Sequence, residues 1–165
     1  MQATRIQGRR WVLSSFEESR AAVAEIASVA KRWISIYTPD LEPGIYDHDD
    51  FLEVAKRLVL AKRYARIRVL IADPARAVRN GNRLVGLARR LNSYIEFRNV
   101  HPDYREHREA FIIADDIALL YRVEAGRWEG IADTYEPPVA HRYLGLFDEI
   151  WNASEVEQEL RELRV

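Results

Sequence analysis

The chain contains no cysteine. Disulfides, thiolate metal sites and cysteine nucleophiles are therefore excluded. No apolar run approaches the roughly 18 residues that a membrane helix needs. The first ten residues are polar and basic, without the apolar core of a signal peptide. Charge of one sign is not in excess either. Twenty-five basic residues face 26 acidic ones, for a formal net charge of −1. Such a balance exerts no global pull toward nucleic acid or anionic lipid. No linker, internal repeat or low-complexity segment interrupts the chain. These absences lead to the expectation of a soluble, cytoplasmic protein with no membrane association. The heavy use of arginine and alanine suits a GC-rich bacterial genome.

What is present is enough apolar material for a core, 48% of 165 residues. That length and composition predict a single domain over residues 1–165, with its core at about 11–151. Residues 11–13 read as a short strand. Ser15 and Glu18 form a capping box for an amphipathic helix over 16–32, marked by Val23, Ile26, Ala27 and Ala30. Residues 33–37 read as a strand stopped by Pro39. An acidic loop over 38–50 follows, and Asp49 or Asp50 caps a second helix with Phe51, Ala55, Leu58 and Val59 on its buried face. The β-branched run 67–72 reads as a central strand. Residues 75–81 read as a basic loop, and Leu84, Leu87, Ala88 and Leu91 mark a third helix. Further strands are expected at 94–99, 110–114, 118–122 and 130–135, the middle two forming a hairpin at Asp115-Asp116. A helix carrying Leu144, Phe147, Ile150 and Trp151 comes next, and a last one over 154–164 starts at a Ser154/Glu157 cap. Strands separated by helices predict an α/β fold, a mixed central sheet with helices on both faces.

The stretch His107-Arg108-Glu109-Ala110-Phe111-Ile112-Ile113-Ala114-Asp115-Asp116 carries the most information. Zinc deaminases also use His-x-Glu, but they need a Pro-Cys-x-x-Cys partner that a cysteine-free chain cannot supply. The stretch resembles the phospholipase D signature, His-x-Lys followed by four residues and Asp. The histidine position holds His107, the lysine position Glu109 and the aspartate position Ala114. Three further pieces occur in the order of that superfamily. Ile67 to Asp73 is similar to its buried strand ending in Asp. Ala88 to Phe97 is similar to its helix and strand leading toward the histidine. Phe147 and Trp151 are similar to its closing Phe-x-x-x-Trp helix. The likeness covers about residues 12–151 and implies a single-repeat phospholipase D-like fold of the small, degenerate bacterial kind.

In that family the histidine attacks a phosphodiester phosphorus, lysines hold the phosphate oxygens, and a second repeat supplies the histidine that protonates the leaving oxygen. For one repeat the resemblance implies a two-fold homodimer. Glu109 reverses the charge that this chemistry needs. Side chains two apart on a strand share a face, so Glu109 is expected beside His107. Two unit charges about 4 Å apart interact by roughly 4 kcal/mol at an effective dielectric of 20, and exchanging attraction for repulsion doubles the swing. Arg105 or Arg122 is the candidate replacement for the lysine. Asp115 replaces the lost aspartate only through a one-residue bulge. The Gly-Ser that often follows in active members is also missing.

The expectation is a catalytically inactive binding or regulatory module that works as a homodimer or with a protein partner. Its groove candidates are His107, Glu109, Arg105, Arg122, Asp115, Asp133 and His141. The rival reading is a divergent phosphodiesterase or nuclease with His107 as nucleophile. Nucleic-acid binding without cleavage is a second alternative, disfavoured because the arginine-rich stretch at Arg76, Arg79, Arg83, Arg89 and Arg90 has acids nearby. Glu109 is expected to pair with Arg105, Arg122 or Arg142. A metal site of His107, Glu109, Asp133 and His141 has no supporting spacing, so neither metal nor cofactor is expected. Trp33, Trp128 and Trp151 are expected as core anchors, and His48 and His101 as surface loop residues.

Overall fold

The computed structural model describes residues 8–156. It contains eight strands and five α-helices: β1 Arg10–Leu13, α1 Phe16–Val29, β2 Trp33–Thr38, α2 Asp49–Ala61, β3 Arg66–Ile71, α3 Pro74–Asn80, α4 Arg83–Arg90, β4 Ile95–Asn99, β5 Ala110–Ala114, β6 Ala118–Arg122, β7 Gly130–Asp133, α5 Pro137–Ala153 and β8 Glu155–Val156. All strands join one mixed sheet in the order β1-β7-β6-β5-β2-β3-β4-β8. Strands β2, β3 and β4 are parallel, whereas β5, β6, β7 and β1 continue the sheet antiparallel. No helix among the described residues is long and apolar enough to cross a membrane.

Helices cover both faces, as the alternation of strands and helices predicts. Ile26 of α1, Phe51 and Val59 of α2 and Leu84 of α4 bury against Ile34, Ile36, Ile67 and Val69 on one face. On the other face Phe147, Ile150 and Trp151 of α5 pack with Tyr37, Leu70, Phe111 and Ile113. Strand β5 is buried along its whole length. Its side chains alternate between these two cores, Ile112 and Ala114 toward α1 and α2, Phe111 and Ile113 toward α5.

Local chemistry explains where the expected boundaries shift. Ser15 accepts from the Glu18 amide at 3.1 Å, but the Glu18 carboxylate takes the Ser14 hydroxyl instead of closing a capping box. Helix α1 stops at Val29, short of the apolar pattern, because Ala30 is extended and the next three amides turn to Asp115. The cap of α2 is His48, whose Nδ1 accepts from the Asp50 amide at 3.2 Å. Asp49 and Asp50 occupy the first turn instead, where the helix dipole favours acids. The expected loop at 75–81 is helix α3. Asp73 accepts from the Arg76 amide, Pro74 fits the first turn, and Gly81 (φ 69°) ends it in a conformation glycine tolerates. Trp33 is 43% exposed and is not a core anchor, while Trp151 is buried.

The expected helix from 154 does not begin there. Ser154 donates to the Ile150 carbonyl at 2.6 Å and accepts from the His101 amide at 3.1 Å. Residues 155–156 then pair with β4 as β8. The remainder of that expected helix lies outside the described residues.

Candidate functional site

The carboxyl ends of β2, β3 and β4 open at one edge of the sheet. Antiparallel pairing brings the start of β5 and the end of β6 to the same edge, with Tyr37 opposite Phe111 and Ala110 opposite Arg122. This is the side on which α/β sheets place ligands. His107–Glu109 and Arg122–Glu42 occupy it, one on each face, with Arg76–Asp40 near the second.

The first pair is His107 and Glu109. Both lie in the connection before β5 and not in the strand itself. They are nevertheless adjacent, with His107 Nδ1 3.3 Å from Glu109 Oε2. The His107 ring stacks on Tyr104 at 6.2 Å, and its amide donates to the Tyr104 carbonyl at 3.1 Å. The Ala125 amide, donating to the Arg108 carbonyl at 2.7 Å, ties down the other side of the segment. Glu109 Oε2 is buried without a hydrogen-bond partner, and so is the Tyr37 hydroxyl. Burial pushes the Tyr37 phenol up to about 12, with the charge of Glu109 adding to the effect. Tyr143 on α5 is raised as well, first by burial, then by Tyr121 and Glu109. Glu109 therefore faces the α5 side of the sheet, amid Tyr37, Tyr143 and His107.

The second pair is Arg122 and Glu42, on the opposite face. Arg122 shares its side of β6 with Ala118 and Leu120, which belong to the α1 and α2 core. Its side chain is 2% exposed. Nη1 and Nη2 fork onto Glu42 at 3.2 and 2.7 Å, Nη2 also donates to the Ala125 carbonyl at 2.6 Å, and the guanidinium lies 4.6 Å from the Trp128 ring centroid. Glu42 sits in a π-helical turn, Glu42–Tyr46, entered through the left-handed Leu41 (φ 65°). Burial raises the Glu42 carboxyl above the usual range even though Arg122 opposes the shift.

The candidates from sequence thus divide. His107, Glu109, Arg105 and Arg122 lie toward one edge, but Arg122 is committed to Glu42 across the sheet and does not replace a lysine beside His107. Arg105 is exposed just beyond the 3-10 turn Pro102–Tyr104, and Arg142 is exposed on α5. The ion pair made by Glu109 is with His107, not with an arginine. Asp115, Asp133 and His141 lie at the other end of β5 and β6, separated from His107 by roughly 17 Å of strand. The hairpin has no bulge, since Ile113 pairs with Leu119 and Ala114 with Ala118. Asp115 (φ 55°) instead accepts from the amides of Lys31, Arg32 and Trp33 at 2.9–3.0 Å. Asp133 accepts from the Tyr135 amide, and His141 stands 3.2 Å from Asp116. Among the described residues, no three histidine or carboxylate side chains gather closely enough to hold a metal ion.

Sequence reasoning missed the Glu42–Arg122 pair. The available signal was an arginine ending an apolar strand, Ala-Leu-Leu-Tyr-Arg, since a buried cation requires a partner. In the arginine-rich stretch, Arg76 pairs with Asp40 at 3.2 Å, and Arg83 with Asp47 and Asp49 at 2.7 Å.

A family model described as a domain of unknown function, DUF7931, matches residues 15–163. The chain belongs to that family. No curated protein matches it in sequence. Solved structures place its fold. It superposes on TrmBL2, an archaeal chromatin protein described as showing a novel mode of DNA binding, with a TM-score of 0.63 and 14% identity over 89% of this chain and 53% of that one. The chain thus spans about half the length of TrmBL2. It superposes on Nuc from Salmonella typhimurium, a phospholipase D family member, with a TM-score of 0.61 and 18% identity over 92% of this chain and 99% of that one. NucT from Helicobacter pylori gives 0.60 and 11% over 92% and 100%. The fold is phospholipase D-like, as the residue pattern implied.

Proposed function

We propose that this domain is a cytoplasmic, non-hydrolytic phospholipase D-like module that binds a partner at the His107–Glu109 edge, as a homodimer or with another protein. The observation that carries this reading is the buried Oε2 of Glu109, which lies 3.3 Å from His107 Nδ1 yet makes no hydrogen bond. A phosphodiester brought to His107 meets that negative charge where its oxygens need cations. Repulsion of roughly 4 kcal/mol at 4 Å, reduced where solvent reaches, opposes substrate binding. Arg122, fully buried at this edge, is engaged by Glu42 and offers no compensation. A buried carboxylate oxygen without a donor is, conversely, well suited to accept a hydrogen bond from an incoming group.

Hydrolysis of bis(p-nitrophenyl) phosphate by wild type and His107→Ala tests the catalytic half. Both are expected at the buffer background. Activity in the wild type that disappears in His107→Ala overturns the proposal in favour of a divergent phosphodiesterase. Light scattering of the purified chain tests the dimer, with Glu109→Lys expected to shift the equilibrium toward monomer. DNA affinity that falls steeply with salt argues instead for nucleic-acid binding.

A further inference from the structure

A separate cavity of about 420 Å³ lies on the α1 side of the sheet edge, in the acidic loop after β2. Its walls are mainly apolar. Phe16 and Trp128 meet edge to face at 5.1 Å, and Pro39 and Pro43 face them. Gly44 completes the wall. A Cβ there would fall on the Phe16 ring, so only glycine lets that ring stand where it does. Two carboxylates converge on this apolar space, Asp40 and Glu42, with side chains only 15% and 11% exposed. Arg76 stands among the lining residues, 60% exposed and 3.2 Å from Asp40.

We propose that this cavity binds a small organic cation, an ammonium or guanidinium group on an aromatic or aliphatic body. The size is right for a small ligand, and a few convergent polar groups in an apolar wall are what orients one. Glu42 is committed to Arg122 through both oxygens, so Asp40 is the carboxylate open to exchange, because its partner Arg76 is exposed and an exposed ion pair contributes little. A largely covered carboxylate such as Asp40 selects a donor cation through a charge-assisted hydrogen bond. The rings add apolar contact for the body of the ligand, while Arg122 lies over Trp128 and Arg20 over Phe16. The protein already demonstrates the chemistry twice within the wall. Glu42 grips the Arg122 guanidinium through both oxygens, and Asp40 holds Arg76. Arg76 thus stands in for the ligand, and an incoming cation displaces it from Asp40. His107 and Glu109 lie across the sheet, and their segment touches the cavity wall only through the bond from the Ala125 amide to the Arg108 carbonyl.

Isothermal titration of the full chain with phenethylamine, 2-phenylethanol and phenylacetate tests the assignment. Phenethylamine is expected to bind about tenfold or more tighter than the alcohol, since only the amine brings a positive charge to the carboxylate. Asp40→Asn keeps the shape and the acceptor for the Glu42 amide, and is expected to erase that preference. Arg76→Ala removes the internal competitor and is expected to tighten amine binding. Gly44→Ala, with folding checked by circular dichroism, is expected to abolish it by displacing Phe16. Binding is expected to be unchanged in His107→Ala. Equal affinity for amine and alcohol, preference for phenylacetate, or no detectable amine binding overturns the proposal. So does an Asp40→Asn variant that binds like wild type, or an Arg76→Ala variant that binds more weakly.

Discussion

Two acid–base pairs lie at the same edge of one sheet and differ in almost every physical respect. Arg122 and Glu42 are buried, bidentate and reinforced by a carbonyl and an indole. His107 and Glu109 are about one-third exposed, touch at 3.3 Å, and leave a buried carboxylate oxygen without a donor. The first pair has satisfied most of its hydrogen-bonding capacity internally. The second leaves Glu109 Oε2 without a hydrogen bond although His107 stands 3.3 Å away, so a demand remains there. Arg122 leaves only its Nε without a partner and is otherwise gripped on two sides, which holds structure together, whereas the looser His107–Glu109 contact is the candidate for binding.

Mutation separates the two roles. Arg122→Met is the most damaging change expected, because it strands Glu42 in an apolar setting at a cost of about 3–5 kcal/mol. Urea unfolding measures this. The double change Arg122→Met with Glu42→Leu is expected to recover much of the loss, since no unpaired charge then remains. A double mutant no better than the single one would mean that Arg122 acts through packing and not through the pair.

Asp115→Ala comes next. It removes the acceptor for three amides and leaves alanine in a left-handed conformation, for a loss of about 2–3 kcal/mol. Thermal melts check it, and a loss below that of His107→Ala would refute the structural role given to Asp115. His107→Ala itself is expected to change stability by less than about 1 kcal/mol, as partly exposed ion pairs contribute little. A loss approaching that of Arg122→Met would place His107 among the structural residues and break the comparison.

The smallest effect is spectroscopic. The Tyr37 phenol ionises at about 12 in the folded chain, above its ordinary value of 10. The unfolded chain releases that proton first, so the associated stability is present below pH 10 and is lost as pH rises toward 12. Ultraviolet titration of the phenolate band is expected to show this late ionisation. Glu109→Gln should move it only part-way back, because burial is the larger cause. An unmoved titration would mean that Glu109 does not face Tyr37.

Strand content was the most legible part of the chain. The hairpin strands 110–114 and 118–122 emerge with the bounds that the sequence predicts, because apolar runs flanking Asp-Asp have few alternatives. Helix α3 was hidden by its arginines. Its cap, Asp73-Pro74, also fits the end of the preceding strand, which masks the helix that follows. The end of α1 was hidden because Asp115, 82 to 84 residues away, draws the three amides that follow. At the site, the adjacency of His107 and Glu109 was legible from their spacing, although the segment is not itself a strand. The partner of Arg122 was not, since Glu42 is 80 residues distant.

The sequence alone determined the fold class, the absence of thiol chemistry and the sign of the charge beside His107. Those properties depend on composition, local periodicity and residue identity, which need no coordinates. Tertiary structure decided which arginine is free and which is bound, and which acids serve turns. It also gathered Asp40, Glu42, Phe16 and Trp128 around one cavity. These relations join residues from 16 to 128 along the chain, and only the sheet register and the packing of its two faces bring them together.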